Sequence, residues 1–301
     1  RLFMGKFLNP FSDVGFKRIF GQEMSKPLLL DFLNNLLEGE RHITDLRFLD
    51  KEQLPVSSDD RSLIYDIYCK TDTGENIIVE MQNRPQAFFK QRTIYYAAGS
   101  IARQGERGSE WCYDIKAVYC ISFLNFAQSD ISTEFRTDVA LMDMGSGRLF
   151  SDKIRLIYLQ LPLFTKDVDG CSNDFERWIY VLKNMETLNR LPFAAKSAVF
   201  KRLAEITDIA SLSKQERMMY DESIRKFRDT IVVMEGARLS GVEQGRAEGR
   251  AEGRAEGMAE GRAEGKAEEQ RRIARGLLEV GTPVGTIAKV TGLSEEEIAG
   301  L

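Results

Sequence analysis

The 301-residue chain has few of the residues on which zinc, disulfide and membrane proteins depend. It contains one histidine and four cysteines, and the cysteines are scattered without a CxxC pair. The sequence therefore predicts neither a Cys/His zinc site nor a disulfide framework. No apolar run approaches the roughly 20 residues of a membrane helix, and Arg1–Pro10 has no secretory apolar core. We expect a cytoplasmic protein without a membrane partner.

An excess of positive charge is also missing. The chain has 42 Lys and Arg residues against 46 Asp and Glu residues, which gives a net charge of −4. No basic field covers the whole protein, so any binding of nucleic acid must be local. The apolar content of 43% is high enough for a substantial core, and the length favours more than one structural unit.

The hydrophobic pattern alternates between helical and extended segments. Helical spacing predicts helices at 14–20, 25–38, 86–104 and 174–235, the last interrupted at Pro192. Apolar and β-branched runs predict strands at about 43–49, 62–70, 76–82, 114–124, 135–142 and 154–161. This order predicts an α/β or α+β domain with one mixed sheet between helices.

Two of these strands are predicted to form a hairpin. They are joined by an Asp-Thr-Gly turn with Gly74 at its left-handed position. This turn pairs Thr71 with Glu75. A two-residue Thr-Gly turn would shift the register by one residue and move the side chains of one strand to the opposite face.

The first register brings two carboxylates together. Asp66 then faces Glu80 across the ladder, with Cβ atoms about 4.5–5.5 Å apart. Gln82 projects from the same face of the second strand as Glu80. Both carboxylates interrupt apolar strands, and like charges this close need a shared proton or a cation. A hairpin with a solvated polar face is the alternative interpretation.

At these residues the chain resembles the PD-(D/E)XK nuclease superfamily. The resemblance rests on Asp66, the hairpin, Glu80-Met81-Gln82 and a following helix with Arg92 and Tyr95. More narrowly, the chain is similar to the bacterial branch described as PD-(D/E)XK nuclease family transposase, or recombination-promoting nuclease. Residues 9–21 match the way in which that branch begins. Their sequence is Asn-Pro-Phe-Ser-Asp-Val-Gly-Phe-Lys-Arg-Ile-Phe-Gly.

The resemblance implies a fold, and the composition and periodicity of the sequence divide the chain into segments. The fold is α/β, with a restriction-endonuclease-like core of a mixed sheet flanked by helices, a helical region and a helical C-terminal tail. The expected divisions are a nuclease core at 1–165, a helical extension packed on it at 166–240, a tetrapeptide repeat at 241–272 and a small helical module at 273–301.

The resemblance also implies roles for individual residues. Asp66 and Glu80 correspond to the carboxylates that bind Mg²⁺ or Mn²⁺, and the carbonyl of Met81 is a candidate third ligand. Gln82 stands where the superfamily pattern most often has lysine. Its amide can orient a water or the scissile phosphate but carries no positive charge. Asp13 matches the acidic position on the first helix.

Three further residues are candidates for contacts with substrate phosphate. Lys17 lies one turn beyond Asp13 and can supply a cation, although a plain surface lysine is the alternative. Arg92, in the helix after the hairpin, can bind a phosphate through two parallel hydrogen bonds. Tyr95 is a candidate for orienting Arg92 or the substrate.

Two functional hypotheses follow. The first is a Mg²⁺-dependent DNA endonuclease that hydrolyses phosphodiester bonds, linked by the resemblance to recombination, mobile elements or defence. The second is a nuclease-fold module that binds DNA or protein without turnover, with Gln82 as the inactivating change and the C-terminal tail as an assembly device.

A Gly-Arg-Ala-Glu repeat runs from Gly245 to about Lys266. In a helix, like charges stack four residues apart and no opposite charges fall at i+3 or i+4. Each glycine costs about 1 kcal/mol relative to alanine, so no isolated helix is expected. Two helices can instead pair opposite charge columns along a Gly/Ala stripe. This favours a homodimer formed through the C-terminal repeat and helices, with a flexible linker as the alternative.

The last 20 residues look like a helix-turn-helix. Ser294 is a predicted N-cap, and Glu297 completes a capping box. The would-be recognition helix opens with three glutamates, which repel phosphate. We therefore expect this helix pair to contact protein rather than DNA.

Overall fold

The computed structural model describes residues 5–53, 63–105 and 112–301. Ser62, where one predicted strand begins, and residues 1–4 of the N-terminal segment lie outside the described residues. The chain divides into two compact units, Arg1–Met234 and Glu235–Leu301. Each unit is built around its own apolar core.

The predicted order of helices and strands is confirmed with two differences: a short strand at 52–53 is added, and the strand predicted at about 62–70 is interrupted at residues 65 and 66. The helices of the first unit are α1 (Asp13–Phe20), α2 (Lys26–Leu36), α3 (Phe89–Ala102), α4 (Asp174–Asn184) and α5 (Ala198–Thr207), followed by α6 (Lys214–Glu279), which continues into the second unit. The strands are β1 (Leu46–Phe48), β2 (Glu52–Gln53), β3 (Leu63–Ile64), β4 (Ile67–Thr71), β5 (Asn76–Gln82), β6 (Val118–Leu124), β7 (Arg136–Met142) and β8 (Leu149–Gln160). Strand β8 begins five residues before its predicted start, because its first residues pair with β7 in a long hairpin.

The main sheet has six strands in the order β1-β4-β5-β6-β8-β7. Strands β5, β6 and β8 are parallel, and the remaining pairs are antiparallel, so the predicted mixed sheet is confirmed. Helix α3 lies in the crossover between β5 and β6, as a parallel pair requires. The carboxyl ends of β5 and β6 therefore meet at one edge of the sheet, next to the start of α3.

Alternation along the strands buries both faces of the sheet. Ile77 and Val79 belong to a core that also contains side chains of α1, α2, α4 and α5. Ile78 and Cys120 belong to a second core that contains side chains of α3. Burial of each large apolar side chain stabilises the fold by roughly 1.5–3 kcal/mol. These contacts hold α3 on the face of the sheet toward which the even-numbered residues of β5 point.

The turn before α1 fixes that helix beside the end of β5. The Ser12 hydroxyl caps α1 by accepting from the Gly15 N–H at 3.1 Å, and the Asn9 side chain accepts from the Phe11 N–H at 2.8 Å. Gly15 is required here, since a Cβ atom would lie 2.0 Å from the Asn9 carbonyl oxygen. The Asn83 side chain, just after β5, donates to the Phe11 carbonyl at 2.7 Å. The opening motif thus connects α1 to the carboxyl end of the sheet.

The tetrapeptide repeat lies inside α6. The sequence predicts no stable isolated helix for the repeat, whereas the structure contains it within a longer helix. Helix nucleation explains the difference: Tyr220 and Ile224 are buried near the start of α6, and Ala274 is buried near its end. Helix formation can propagate from these packed ends through the repeat without a separate nucleus.

The second unit ends in two short helices, α7 (Val284–Thr291) and α8 (Glu295–Ala299). Buried Ile287 and Ile298 pack with Ala274 in a small core. The predicted capping box is confirmed, because Ser294 and Glu297 each accept a hydrogen bond from the other's backbone N–H. Every helix in the described residues is too short or too polar to cross a bilayer.

Candidate active site

The register of the hairpin places the two predicted carboxylates side by side. The β4–β5 ladder pairs Ile67 with Val79, so one further step places Asp66 opposite Glu80. Gly74 has φ of 98°, the left-handed conformation that the longer turn requires. The predicted register is confirmed over β4 and β5, and Asp66 lies immediately before β4, at the position opposite Glu80.

Main-chain hydrogen bonds hold the pair in place. The Asp66 N–H donates to Glu80 Oε1 at 3.2 Å. The Met81 N–H donates to Asp66 Oδ2 at 2.9 Å. Glu80 is only 3% exposed, although it lies near the end of its strand. The two carboxylates are therefore positioned by the backbone of the hairpin itself.

Burial shifts both carboxyl groups toward their protonated forms. It raises the pKa of Glu80 to about 8, and the neighbouring Asp66 charge adds to this shift. Burial also raises the pKa of Asp66, while its bond from the Met81 N–H acts in the opposite direction. Without a bound cation, the pair therefore favours holding a proton at neutral pH.

Helix α3 places an arginine beside this acidic pair. Arg92 Nη2 lies 4.0 Å from Glu80 Oε2. The guanidinium lies 5.0 Å from the ring centre of Phe89 and 5.7 Å from that of Tyr96. Arg92 Nε and Nη2 are buried and have no hydrogen-bond partner within the described part of the chain. The arginine thus has unused donors next to the carboxylates.

Two glutamines connect the acidic pair to this arginine. The Gln82 side chain lies on the same face of β5 as Glu80 and lowers the pKa of that carboxyl, against the larger effect of burial. Gln86 Nε2 donates to Gln82 Oε1 at 3.0 Å, and Arg92 Nη1 donates to Gln86 Oε1. Sequence reasoning missed Gln86. It lies in the irregular connection between β5 and α3, where no periodicity indicates the direction of a side chain.

Helix α1 contributes a charged pair to the same region. Asp13 and Lys17 form an ion pair across one helical turn. The Lys17 charge lowers the pKa of Asp66, and the Asp13 charge raises it. Both predicted α1 residues therefore lie near enough to Asp66 to affect its ionisation.

Tyr95 is placed differently from its neighbour Tyr96. The Tyr95 side chain is 52% exposed, whereas Tyr96 contacts the Arg92 guanidinium. Tyr96 follows Arg92 by four residues, the spacing that brings side chains together on a helix. The orienting contact predicted for Tyr95 is thus made by Tyr96, and a substrate contact by Tyr95 stays a prediction.

The donor set at the acidic pair fits a hard divalent cation. Asp66 and Glu80 offer carboxylate oxygens, and Mg²⁺ in proteins binds one or two carboxylates while keeping several waters. In the residues that the structure describes, no group of three or more His, Cys, Asp or Glu side chains is arranged to hold a metal. The site therefore suits an open Mg²⁺ or Mn²⁺ site rather than a closed protein cage.

Comparison with known protein families accounts for most of the chain. A family model described as PD-(D/E)XK nuclease family transposase matches residues 10–237. The chain belongs to this family. A second model, described as the C-terminal HTH domain of the Rpn/YhgA-like nuclease family, matches residues 267–301. Searches of curated proteins and of solved structures found no match.

Membership of the PD-(D/E)XK nuclease family transposases confirms the predicted family and its α/β core. The matched range contains the acidic hairpin, α3 and the helix that carries Asp13 and Lys17. The second match covers the end of α6 together with α7 and α8, so the helix-turn-helix resemblance is also confirmed. The expectation that these helices contact protein stays a prediction.

Proposed function

We propose that the chain is a DNA endonuclease that uses Mg²⁺ or Mn²⁺ to hydrolyse phosphodiester bonds. The main support is the pairing of buried Glu80, near the carboxyl end of β5, with partly buried Asp66, just before the antiparallel strand β4, and the position of Arg92 beside Glu80. Buried like charges are costly unless a proton or a cation balances them, and perturbed carboxyl groups of this kind concentrate at functional sites. Membership of a nuclease family agrees with this chemistry.

Each site residue has a role in the proposed reaction. Asp66 and Glu80 hold the cation, and the Met81 carbonyl is a candidate third ligand. When bound, the cation supplies an activated water and stabilises developing negative charge. Gln82 orients the water or the scissile phosphate. Arg92, whose side chain is 30% exposed, binds a phosphate oxygen through its guanidinium.

Three residues around this centre have supporting roles. Asp13 acts as an auxiliary acidic group that affects Asp66. Lys17 supplies positive charge near the phosphate, within its ion pair to Asp13. Tyr95 is exposed and available to contact DNA. Recombination, mobile-element activity or defence stays the setting that the family suggests.

Cleavage of a supercoiled plasmid tests this proposal. The intact protein with Mg²⁺ should convert the plasmid to nicked or linear forms, and EDTA should stop the conversion. Asp66→Ala should remove cleavage, whereas Glu134→Gln, an exposed carboxylate outside the site, should leave it unchanged. Cleavage by Asp66→Ala at the parent rate would show that the site is misassigned. Binding of DNA by the parent without cleavage would support the non-catalytic module instead.

We further propose that residues 241–301 join two copies of the chain as a homodimer. The repeat is exposed along α6, and its charge columns cannot pair within one helix. A second helix can supply the opposite charges, and the glycine and alanine columns permit close approach of the two backbones. A two-fold dimer would also provide one active site for each DNA strand.

Light scattering should therefore give twice the chain mass for the intact protein and a single chain mass for a version that ends after Ser240. The first unit has its own core, so the shortened version is expected to fold. A monomeric intact protein, or equal numbers of chains per particle for both versions, would leave the repeat as a linker.

A further inference from the structure

The hydrogen bonds that connect Arg92, Gln86 and Gln82 have a defined direction. A guanidinium can only donate, so the Gln86 atom that contacts Arg92 must be its carbonyl oxygen. The Gln86 NH₂ group is then the atom that contacts Gln82, and Gln82 must accept through its own carbonyl oxygen. The remaining end of the Gln82 side chain is its NH₂ group, and Gln82 lies two residues after Glu80 on the same face of β5. The direction Arg92 to Gln86 to Gln82 follows from the donor-only chemistry of arginine, and it leaves the Gln82 NH₂ group for the face that carries Glu80.

We propose that Gln86 is a positioning residue that fixes the Gln82 amide with its NH₂ group facing the Asp66–Glu80 pair. A free glutamine can present either its carbonyl oxygen or its NH₂ group to a ligand. With Gln86 in place, Gln82 offers only donors to the site. This inference rests on the proposed nuclease function for its role in the reaction, but the orientation of the amide is a property of the protein alone.

This arrangement determines what Gln82 can bind. Donors suit an anionic oxygen, such as a phosphate oxygen of DNA, and they cannot remove a proton from water. The positive charge of Arg92 at the other end polarises the chain, which strengthens the donor nearest the carboxylates. Gln82 and Gln86 are both partly exposed, so a ligand can reach them. Gln82 thus acts as a fixed donor for the phosphate rather than as a general base.

Two substitutions at Gln86 separate positioning from packing. Gln86→Glu keeps an acceptor for Arg92 but loses the donor to Gln82, whereas Gln86→Met keeps the side-chain length and loses both bonds. Gln104→Met is the matched control, since the Gln104 amide also makes two hydrogen bonds, to the Lys116 backbone at the far end of α3. All three variants are compared with the intact parent chain.

The first measurement does not require the protein to cleave DNA. With glutamine selectively labelled with ¹⁵N in the metal-free full chain, the side-chain NH₂ resonance of Gln82 is assigned by its loss in Gln82→Ala. We expect Gln86→Glu and Gln86→Met to shift this resonance and Gln104→Met to leave it in place. An unchanged Gln82 resonance in folded Gln86→Glu would overturn the proposal, whether or not the parent cleaves DNA.

The second measurement is kinetic. Gln86→Glu should lower kcat by about ten- to a hundredfold with KM within about twofold, as expected when a transition-state donor is misplaced. In the Gln82→Ala background the same change should lower kcat by less than about twofold, because the amide to be positioned is gone. An equal loss in both backgrounds would contradict a role through Gln82. A parent without cleavage would count against the proposed function and leave the resonance experiment to decide the positioning.

Discussion

Replacing Glu80 by glutamine should make the metal-free protein more stable at pH 8.5 and at the same time remove its metal-dependent cleavage. Burial raises the pKa of this carboxyl to about 8, so the folded state holds a proton that the unfolded chain releases near pH 4.5. Glu80 therefore has no effect on the free energy of unfolding below about pH 4.5. As the pH rises from 4.5 toward 8, this group lowers the free energy of unfolding progressively. A neutral amide removes that loss and can still accept from the Asp66 N–H.

The expected gain for Glu80→Gln is about 2–4 kcal/mol in the free energy of unfolding at pH 8.5, from the conversion of pKa shifts to free energy. It should appear as a rise in Tm of roughly 5–10 °C by calorimetry in EDTA. At pH 4.5 the variant and the parent should unfold at the same temperature. Glu134→Gln, an exposed control, should match the parent at both pH values. A variant less stable than the parent at pH 8.5 would show that Glu80 is not a strained buried carboxyl.

The same substitution should lower cleavage by at least about a hundredfold, because it removes a charged oxygen ligand of the cation. Added Mg²⁺ should raise the Tm of the parent, since a ligand that binds the folded state stabilises it. It should leave the Tm of Glu80→Gln unchanged. Opposite effects on stability and activity from one substitution are characteristic of a functional residue held at the expense of stability.

Arg92→Met should have the second large effect. Methionine retains much of the packing against Phe89 and Tyr96 but loses the charge beside Glu80 and the unused donors. We expect kcat/KM to fall by about a hundredfold, the cost of removing a donor to developing charge. The plot of the logarithm of the DNA-binding constant against the logarithm of the salt concentration should also become less steep. Its slope should change by about 1, the contribution of one phosphate contact.

Arg92→Lys should recover little of that loss, because a lysine ammonium lacks the planar pair of donors and the stacking of a guanidinium. Arg225→Met serves as the control, since Arg225 is exposed on α6 and donates a hydrogen bond to the Asp221 carbonyl of its own helix. Binding is measured by fluorescence anisotropy with uncut DNA in EDTA at several salt concentrations. Full activity in Arg92→Met would remove this residue from the site.

Local chemistry made much of the site predictable from sequence. The Asp-Thr-Gly turn determines the register of the hairpin, and that register alone places Asp66 against Glu80. The cap at Ser12 and the spacing of Asp13 and Lys17 similarly predict how α1 begins and which of its side chains pair. Such features depend on a few neighbouring residues.

The contacts that were missed have separate causes. Tyr96 follows Arg92 by four residues, a spacing that indicates the contact from the sequence alone, whereas the family resemblance pointed to Tyr95. Gln86 lies in an irregular connection, where no periodicity indicates the direction of a side chain. The helical conformation of the repeat depends on burial near the two ends of α6, at Tyr220 and at Ala274.

The central claim is that Asp66 and Glu80 together form a site for a divalent cation. Isothermal titration of Mn²⁺, and separately of Mg²⁺, into the intact metal-free protein at pH 8 tests it most directly. We predict saturable binding at one site per chain, lost in Asp66→Asn and in Glu80→Gln and retained in Glu134→Gln. Binding that persists unchanged in both site variants, or no binding by the folded parent, would contradict the account.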